Sequence, residues 1–235
     1  MKLRKSIIIL LPSYLMVLVM MIFFAKASSN VVTTFAENKP ISNRRIVVID
    51  AGHGGIDGGT TSVSGVTESH INLEIALKLQ DMFHLLGIKT LMIRTEDVSV
   101  YTSGNTIATK KVSDLKERVR IVNSQENCIL LSIHQNYFSD GRYKGAQVFY
   151  SPKGEGEKLA GVLQNILVKQ LNPGSSRKSK PADGVYLMQH VNCTGVLVEC
   201  GFLSNPDEDR LLQSKEYQIK MSSIIASVVA SYMNT

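Results

Sequence analysis

Three short apolar runs in this chain each end in a residue that resists burial. Ile46-Val-Val-Ile ends at Asp50, Ile129-Leu-Leu-Ser-Ile ends at His134, and Val196-Leu-Val ends at Glu199. Runs of this length, rich in Val, Ile and Leu and bounded by polar residues, read as buried strands. The segments between them carry a different period. Ile71, Leu73, Ile75, Ala76, Leu79, Met82, Phe83 and Leu86 recur at helical spacing, and Gly87 marks the end of that helix. Further helices are expected over 114–123, 157–171 and 207–232, and further strands over 89–94, 146–150 and 185–188. Residues 95–112 and 172–184 are polar or hold Gly and Pro, and read as surface loops. Strands alternating with helices imply an α/β fold in a single domain, with a mostly parallel twisted sheet of about six strands and helices on both faces.

The chain of 235 residues is long enough for one such domain, expected over 45–235, and a short extra segment. Its formal net charge of +6 is concentrated at the N-terminus, where Lys2, Arg4, Lys5, Lys26 and Lys39 face only Glu37. The rest is nearly balanced and has no clustered basic face, which excludes a nucleic-acid footprint. There are three cysteines, Cys128, Cys193 and Cys200, and no CxxC pair, which argues against a thiolate metal site. Cys128 and Cys200 border or lie in apolar runs and read as small core residues. Pairing of Cys193 with Cys200, or with Cys128, stays open in an oxidising compartment, although the odd count argues against a disulfide framework.

The N-terminal segment carries its own signal. Lys2, Arg4 and Lys5 precede an apolar run from Ile7 to Ala25, and Ala25-Lys26-Ala27 has the small-x-small form of a cleavage site. The run is also close to the length of a membrane span. Residues 1–27 are therefore expected to be a signal peptide or a retained membrane anchor, and 28–44 a polar linker. Either way the basic flank stays inside and the rest of the chain is exported.

The residues that carry chemistry fall at corresponding places. Ligands of open α/β sheets bind outside the carboxyl ends of the strands. His53 follows the first strand, and His134 and Glu199 close two others, so parallel strands would bring all three to one rim. Glu68 opens the first helix and faces the same rim. Two imidazoles and a carboxylate are a donor set for catalytic zinc with one position left for water. Each residue also has an ordinary structural use: a histidine at a strand end can be structural, and Glu68 can complement the helix dipole. Glu199 follows Val-Leu-Val and is costly to bury unpaired, which favours a chemical role. His70 stands beside Glu68 as a rival ligand, while His84 and His190 are less well placed. Gly52, Gly54, Gly55, Gly58 and Gly59 bracket His53 and Asp57, which permits positive φ and close approach to a ligand. A nucleotide loop is excluded, since both GxGxxG and Gly-Lys-Ser/Thr are absent.

Four segments, in order, resemble a known family. They are Val47-Val-Ile-Asp-Ala-Gly-His-Gly-Gly-Ile-Asp-Gly-Gly59, Glu68 before Asn72-Leu73, Leu131-Ser-Ile-His-Gln-Asn136 and Val196-Leu-Val-Glu-Cys-Gly-Phe-Leu-Ser-Asn-Pro206. Together they are similar to the zinc-dependent N-acetylmuramoyl-L-alanine amidases of the amidase-3 type, over about residues 45–232. The resemblance implies one Zn2+ per chain held by His53, Glu68 and His134. It makes Glu199 the catalytic glutamate, which takes a proton from the attacking water and gives it to the leaving amine. The implied substrate is peptidoglycan, cut between N-acetylmuramic acid and L-alanine. Gln135 stands where many members carry a small residue and is expected to shape the substrate groove; Cys200 is expected to point into the core. With no wall-binding repeats, the chain most resembles the germination-specific, spore-cortex amidases, which take the first step toward muramic-δ-lactam. That resemblance implies a place between the forespore membranes, with the N-terminal anchor or an accessory protein supplying localisation. A general vegetative autolysin is the other enzymatic reading, and a catalytically inactive wall-binding protein is a third. The third has no need of Glu199.

Overall fold

The computed structural model describes residues 45–234. The expected signal or anchor, 1–27, and the expected linker, 28–44, lie outside the described residues. In chain order the elements are β1 (Ile46–Ala51), α1 (Glu68–Leu85), β2 (Thr90–Met92), α2 (Ile107–Asn123), β3 (Cys128–Asn136), β4 (Gln147–Tyr150), α3 (Gly156–Leu171), β5 (Lys180–Pro181), α4 (Tyr186–His190), β6 (Thr194–Phe202), α5 (Pro206–Leu212) and α6 (Lys215–Met233). Among the described residues, no helix is long and apolar enough to cross a membrane.

The strands form one six-stranded sheet in the order β2-β1-β3-β6-β4-β5. All neighbours are parallel except β4, which runs antiparallel to β6. Side chains alternate between the faces, and each face has its own core. On one side Val47, Ile49, Ile129, Leu131, Ile133, Val196 and Val198 meet the apolar stripes of α1, α3 and α6. On the other, Val48, Leu130 and Leu197 meet Val122 of α2 and Leu187 and Met188 of α4. Both faces are thus covered, which is why the central strands read as nearly continuous apolar runs.

Several expected boundaries are corrected. Helix α2 starts at Ile107, inside the expected 95–112 loop. Its first turns carry no core stripe, since Ile107 and Val112 are exposed, and its start is fixed by a reciprocal cap between Thr106 and Thr109. The expected strand over 185–188 is a single helical turn, α4, that buries Leu187 and Met188 beneath the sheet. Short apolar runs are ambiguous between the two states. The sixth strand is instead Lys180–Pro181, exposed at the sheet edge. An edge tolerates a proline that lacks an N–H, and nothing apolar in that segment announces it. The long C-terminal helix is two helices, the second capped by Ser214, whose side chain accepts from the Tyr217 N–H.

Candidate active site

Strand β1 pairs with β3 only as far as Ala51 opposite Ile133. Strands β3 and β6 run on past it, so His134 and Glu199 do not close their strands as expected; they are register partners, followed by an irregularity before Asn136. Residues directly opposed on neighbouring strands project to the same side of the sheet. Cross-strand register, rather than strand ends alone, therefore sets the two side chains side by side.

His53 lies where the chain leaves β1 for the glycine loop. Its φ is 62°, the one positive value among the described non-glycine residues. Histidine enters this left-handed region more readily than most residues, and the surroundings hold it there. The Arg118 Nη2 donates to the His53 carbonyl at 2.7 Å, Ser99 Oγ donates to the Gly54 carbonyl at 2.5 Å, and the Gly54 N–H donates to the Asp57 carbonyl at 2.7 Å. Asp57 Oδ2 lies 3.0 Å from His53 Nδ1, and its other oxygen pairs with Lys111 Nζ at 2.8 Å. This leaves His53 Nε2 directed at Glu68 Oε2, 3.3 Å away.

Glu68 is the first residue of α1 and is buried. Its Oε2 accepts from the Thr60 N–H at 3.1 Å. Its Oε1 accepts from the Gln135 N–H at 3.1 Å and from Asn72 Nδ2 at 3.3 Å, and lies 3.0 Å from His134 Nδ1. The two imidazole rings meet edge to face at 5.0 Å. One ligand atom from each of His53, Glu68 and His134 fits within 4.8 Å of the other two, so the trio can hold a metal ion. The surroundings fit such an ion as well. A metal-binding histidine commonly gives its second nitrogen to a carboxylate, as His53 does to Asp57. Two glycines make room for the cluster. A Cβ on Gly59 would come within 2.7 Å of both Glu68 Oε2 and His53 Cδ2, and one on Gly52 would overlap the His134 ring.

The electrostatics match a cage that takes up positive charge. Burial pushes the Glu68 carboxyl up, but hydrogen bonds from His134 and His53 outweigh it and hold the group far below the usual carboxylate range. Burial pushes His53 down, but Glu68 and then Asp57 carry it up to about 9. A dication can replace the proton these groups share.

Glu199 sits beside the cage without joining its hydrogen bonds. Its Oε2 is enclosed and has no hydrogen-bond partner. Burial raises its carboxyl to about 7, with Glu68 adding to the rise and the two histidines opposing it. A carboxyl poised near neutrality in such a place is suited to proton transfer.

The other sequence candidates fall elsewhere. His70 is exposed and pairs with Glu74 at 3.7 Å, outside the cluster. His84 lies 3.0 Å from Thr90 Oγ1, and His190 stacks on Tyr186. Gln135 does not shape a groove; it is buried, and its Nε2 donates to Asn72 Oδ1 at 3.1 Å. The bulky side chain turns inward because it fixes Asn72, which also donates to the Gly52 carbonyl at 3.2 Å. Cys200 lies in the core, fully buried.

Two buried arginines behind the loop were missed by sequence reasoning. Arg94 Nε donates to the Ala51 carbonyl at 2.8 Å, and its Nη2 to the carbonyls of Gly52 at 3.0 Å and Ser69 at 2.8 Å. Arg118 pairs with buried Asp50, which also accepts from Ser132 Oγ at 2.6 Å, and donates to the Ala51 carbonyl at 3.0 Å. Together they tie down the carbonyls of residues 51–53. Asp50 was the available signal, because a carboxylate that ends a buried strand needs a cation.

Comparison with known proteins agrees with this geometry. The Amidase_3 family, N-acetylmuramoyl-L-alanine amidase, matches residues 47–231. The germination-specific N-acetylmuramoyl-L-alanine amidase of Bacillus subtilis (strain 168) is 38% identical over 196 residues, covering 82% of this chain and 81% of the relative. The amidase AmiA of Escherichia coli (strain K12) is 27% identical over 240 residues, covering 83% of this chain and 78% of AmiA. Among solved structures, the CwlD amidase from Clostridioides difficile, in complex with the GerS lipoprotein, matches with a TM-score of 0.77 at 34% identity, over 81% of this chain and 99% of that one. A match that spans nearly all the described residues and contains the His53, Glu68, His134 and Glu199 cluster establishes that the chain belongs to the N-acetylmuramoyl-L-alanine amidase family, enzymes that hydrolyse peptidoglycan.

Proposed function

We propose that this peptidoglycan amidase cuts between N-acetylmuramic acid and L-alanine in spore cortex, as the first step toward muramic-δ-lactam. In this reading one Zn2+ per chain is held by His53, Glu68 and His134, and Glu199 is the catalytic carboxylate. The observation that carries it is the enclosed, unpartnered Glu199 Oε2 beside a cluster of two histidines and one buried carboxylate. Bound there, zinc supplies Lewis acidity, polarising the amide carbonyl and easing ionisation of a water. Asp57 accepts the His53 Nδ1 proton and so leaves the Nε2 lone pair for a ligand. Glu199 takes the proton of the attacking water and passes it to the departing L-alanine nitrogen. Positive charge in the cage lowers the Glu199 pKa from about 7, which keeps the carboxylate ionised before attack.

Metal content tests the ligand set directly. After dialysis, elemental analysis is expected to find one zinc per wild-type chain, a large loss in Glu68→Ala and no change in His70→Ala. Undiminished zinc in Glu68→Ala would remove that residue from the site.

Similarity to the germination-specific Bacillus subtilis amidase over most of both chains supports the cortex role. The basic and apolar N-terminal segment supports export, which would place the enzyme between the forespore membranes, secreted or held by that segment. The CwlD structure holds a lipoprotein, GerS, which supports an exported accessory protein for this chain too. Spores of a deletion strain are expected to lack muramic-δ-lactam while vegetative cells separate normally. Chained cells with lactam-containing cortex would favour the vegetative autolysin instead.

A further inference from the structure

A second pair of side chains meets where strands β3 and β6 begin. His134 faces Glu199 in register, and Ile129 faces Thr194. Continued one residue beyond the start of β6, that register would set Cys128, the first residue of β3, opposite Cys193. Directly opposed residues of neighbouring strands lie about 4.8 Å apart and point to the same face, inside the Cα separation of about 4.4–6.8 Å that a disulfide spans. The side chains confirm this placement. Cys193 packs on the core face that holds Cys128, Leu130 and Leu197, and the two thiols are near enough to shift each other's ionisation.

The pair is asymmetric in a way that suits thiol–disulfide exchange. Cys128 is buried and Cys193 is half-exposed. Their mutual interaction, with burial, raises the Cys128 pKa, and the same interaction lowers that of Cys193. The accessible thiol is thus the better thiolate, and the buried one is placed to resolve a mixed disulfide. Cys200 stands apart. It lies fully buried in the core on the opposite face, and burial pushes its thiol up. An odd count of three therefore divides into a facing pair and an inert core residue.

We propose that Cys128 and Cys193 form an intramolecular disulfide when the chain meets an oxidising compartment. The oxidant is a disulfide, either of an exported thiol oxidase or of a small molecule. The Cys193 thiolate attacks it, forming a mixed disulfide and releasing one sulfur as a thiol. The Cys128 thiolate then attacks Cys193 Sγ, forming the internal bond and releasing the second thiol. The cysteine pair loses two protons and two electrons, and the donor disulfide becomes two thiols. The bond ties together the starts of the two strands that carry His134 and Glu199, about 20 Å from those residues at the strand rise of about 3.3 Å per residue. Stability changes while the catalytic geometry does not.

The full chain, purified reduced, is incubated with oxidised glutathione, denatured, alkylated and mapped by peptide mass. One alkylated cysteine, Cys200, and a Cys128–Cys193 cross-linked peptide are expected. Closing a loop of this length is expected to raise the Tm by about 10 °C, reversibly with reductant, at unchanged turnover. Cys193→Ser is expected to keep both remaining thiols and to lose the redox dependence of Tm. Three alkylated cysteines, a persistent glutathione adduct on Cys193 or a cross-link through Cys200 would overturn the proposal. The wild-type map decides this even if the variant folds poorly.

Discussion

Glu199→Gln is expected to give a folded, zinc-loaded protein whose kcat on purified muropeptides falls by about 10²–10⁴-fold. The substitution keeps the shape and removes only the ability to hold a proton. Nothing in the fold depends on the lost charge, because Glu199 Oε2 has no hydrogen-bond partner and is kept ionised only against the penalty of burial. Stability should hold or rise. KM should change little, since no direct ligand to the metal is removed. The informative measurement is therefore the combination of turnover, zinc content and Tm. A variant that retains zinc and fold and still releases L-alanine amino termini at the wild-type rate would take the proton-transfer role away from Glu199.

The second large effect is expected behind the glycine loop, at a residue outside the metal cluster. Arg118→Met leaves Asp50 buried without its cation, and breaking a buried pair from one side costs about 3–5 kcal/mol. It also removes the donors to the carbonyls of Ala51 and His53, so zinc affinity should fall with stability. Adding Asp50→Asn should restore much of the stability, because the uncompensated charge is gone. The pH dependence separates this account from simple loss of packing. Burial pushes the Asp50 carboxyl up, but Arg118, His134 and the Ser132 hydroxyl outweigh it and hold the group below its ordinary value. In the wild type its contribution is therefore complete above the unfolded value of about 3.9 and is lost as the pH falls through the lower folded value. Without Arg118, burial dominates and the folded pKa moves above the unfolded one. The variant then recovers stability as Asp50 takes up a proton in acid. Denaturant unfolding should show the deficit narrowing toward pH 4; a constant deficit would mean that Arg118 acts through packing alone.

The central sheet was legible because its residues obey one rule. The runs ending at Asp50, His134 and Glu199 are apolar on both faces, and both faces are covered. Legibility failed where the covering pattern is absent. The first turns of α2 face solvent with Ile107 and Val112 and depend on a threonine cap. Strand β5 has only Lys180 and Pro181 and exists through its neighbour. In the site, proximity along the chain did not separate Glu68 from His70. Two residues of helix are a rotation of about 200°, which sends one side chain into the rim and the other into solvent beside Glu74. The supporting shell was least visible. Arg94, Arg118 and Asn72 look like ordinary surface residues until tertiary contacts place them under the loop carbonyls.

The pairing of His134 with Glu199 has a consequence for variation. The separation of these two groups is a lattice spacing of the sheet, copied from a backbone ladder that no rim loop enters. His53 and Glu68, by contrast, come from a loop and a helix start pinned by arginine and asparagine. Segments 137–146 and 172–179, which flank strands β4 and β5, can then lengthen, shorten or change charge while the chemistry keeps its dimensions. Exchanging those loops between relatives is then expected to leave the spacing of His134 and Glu199 unchanged.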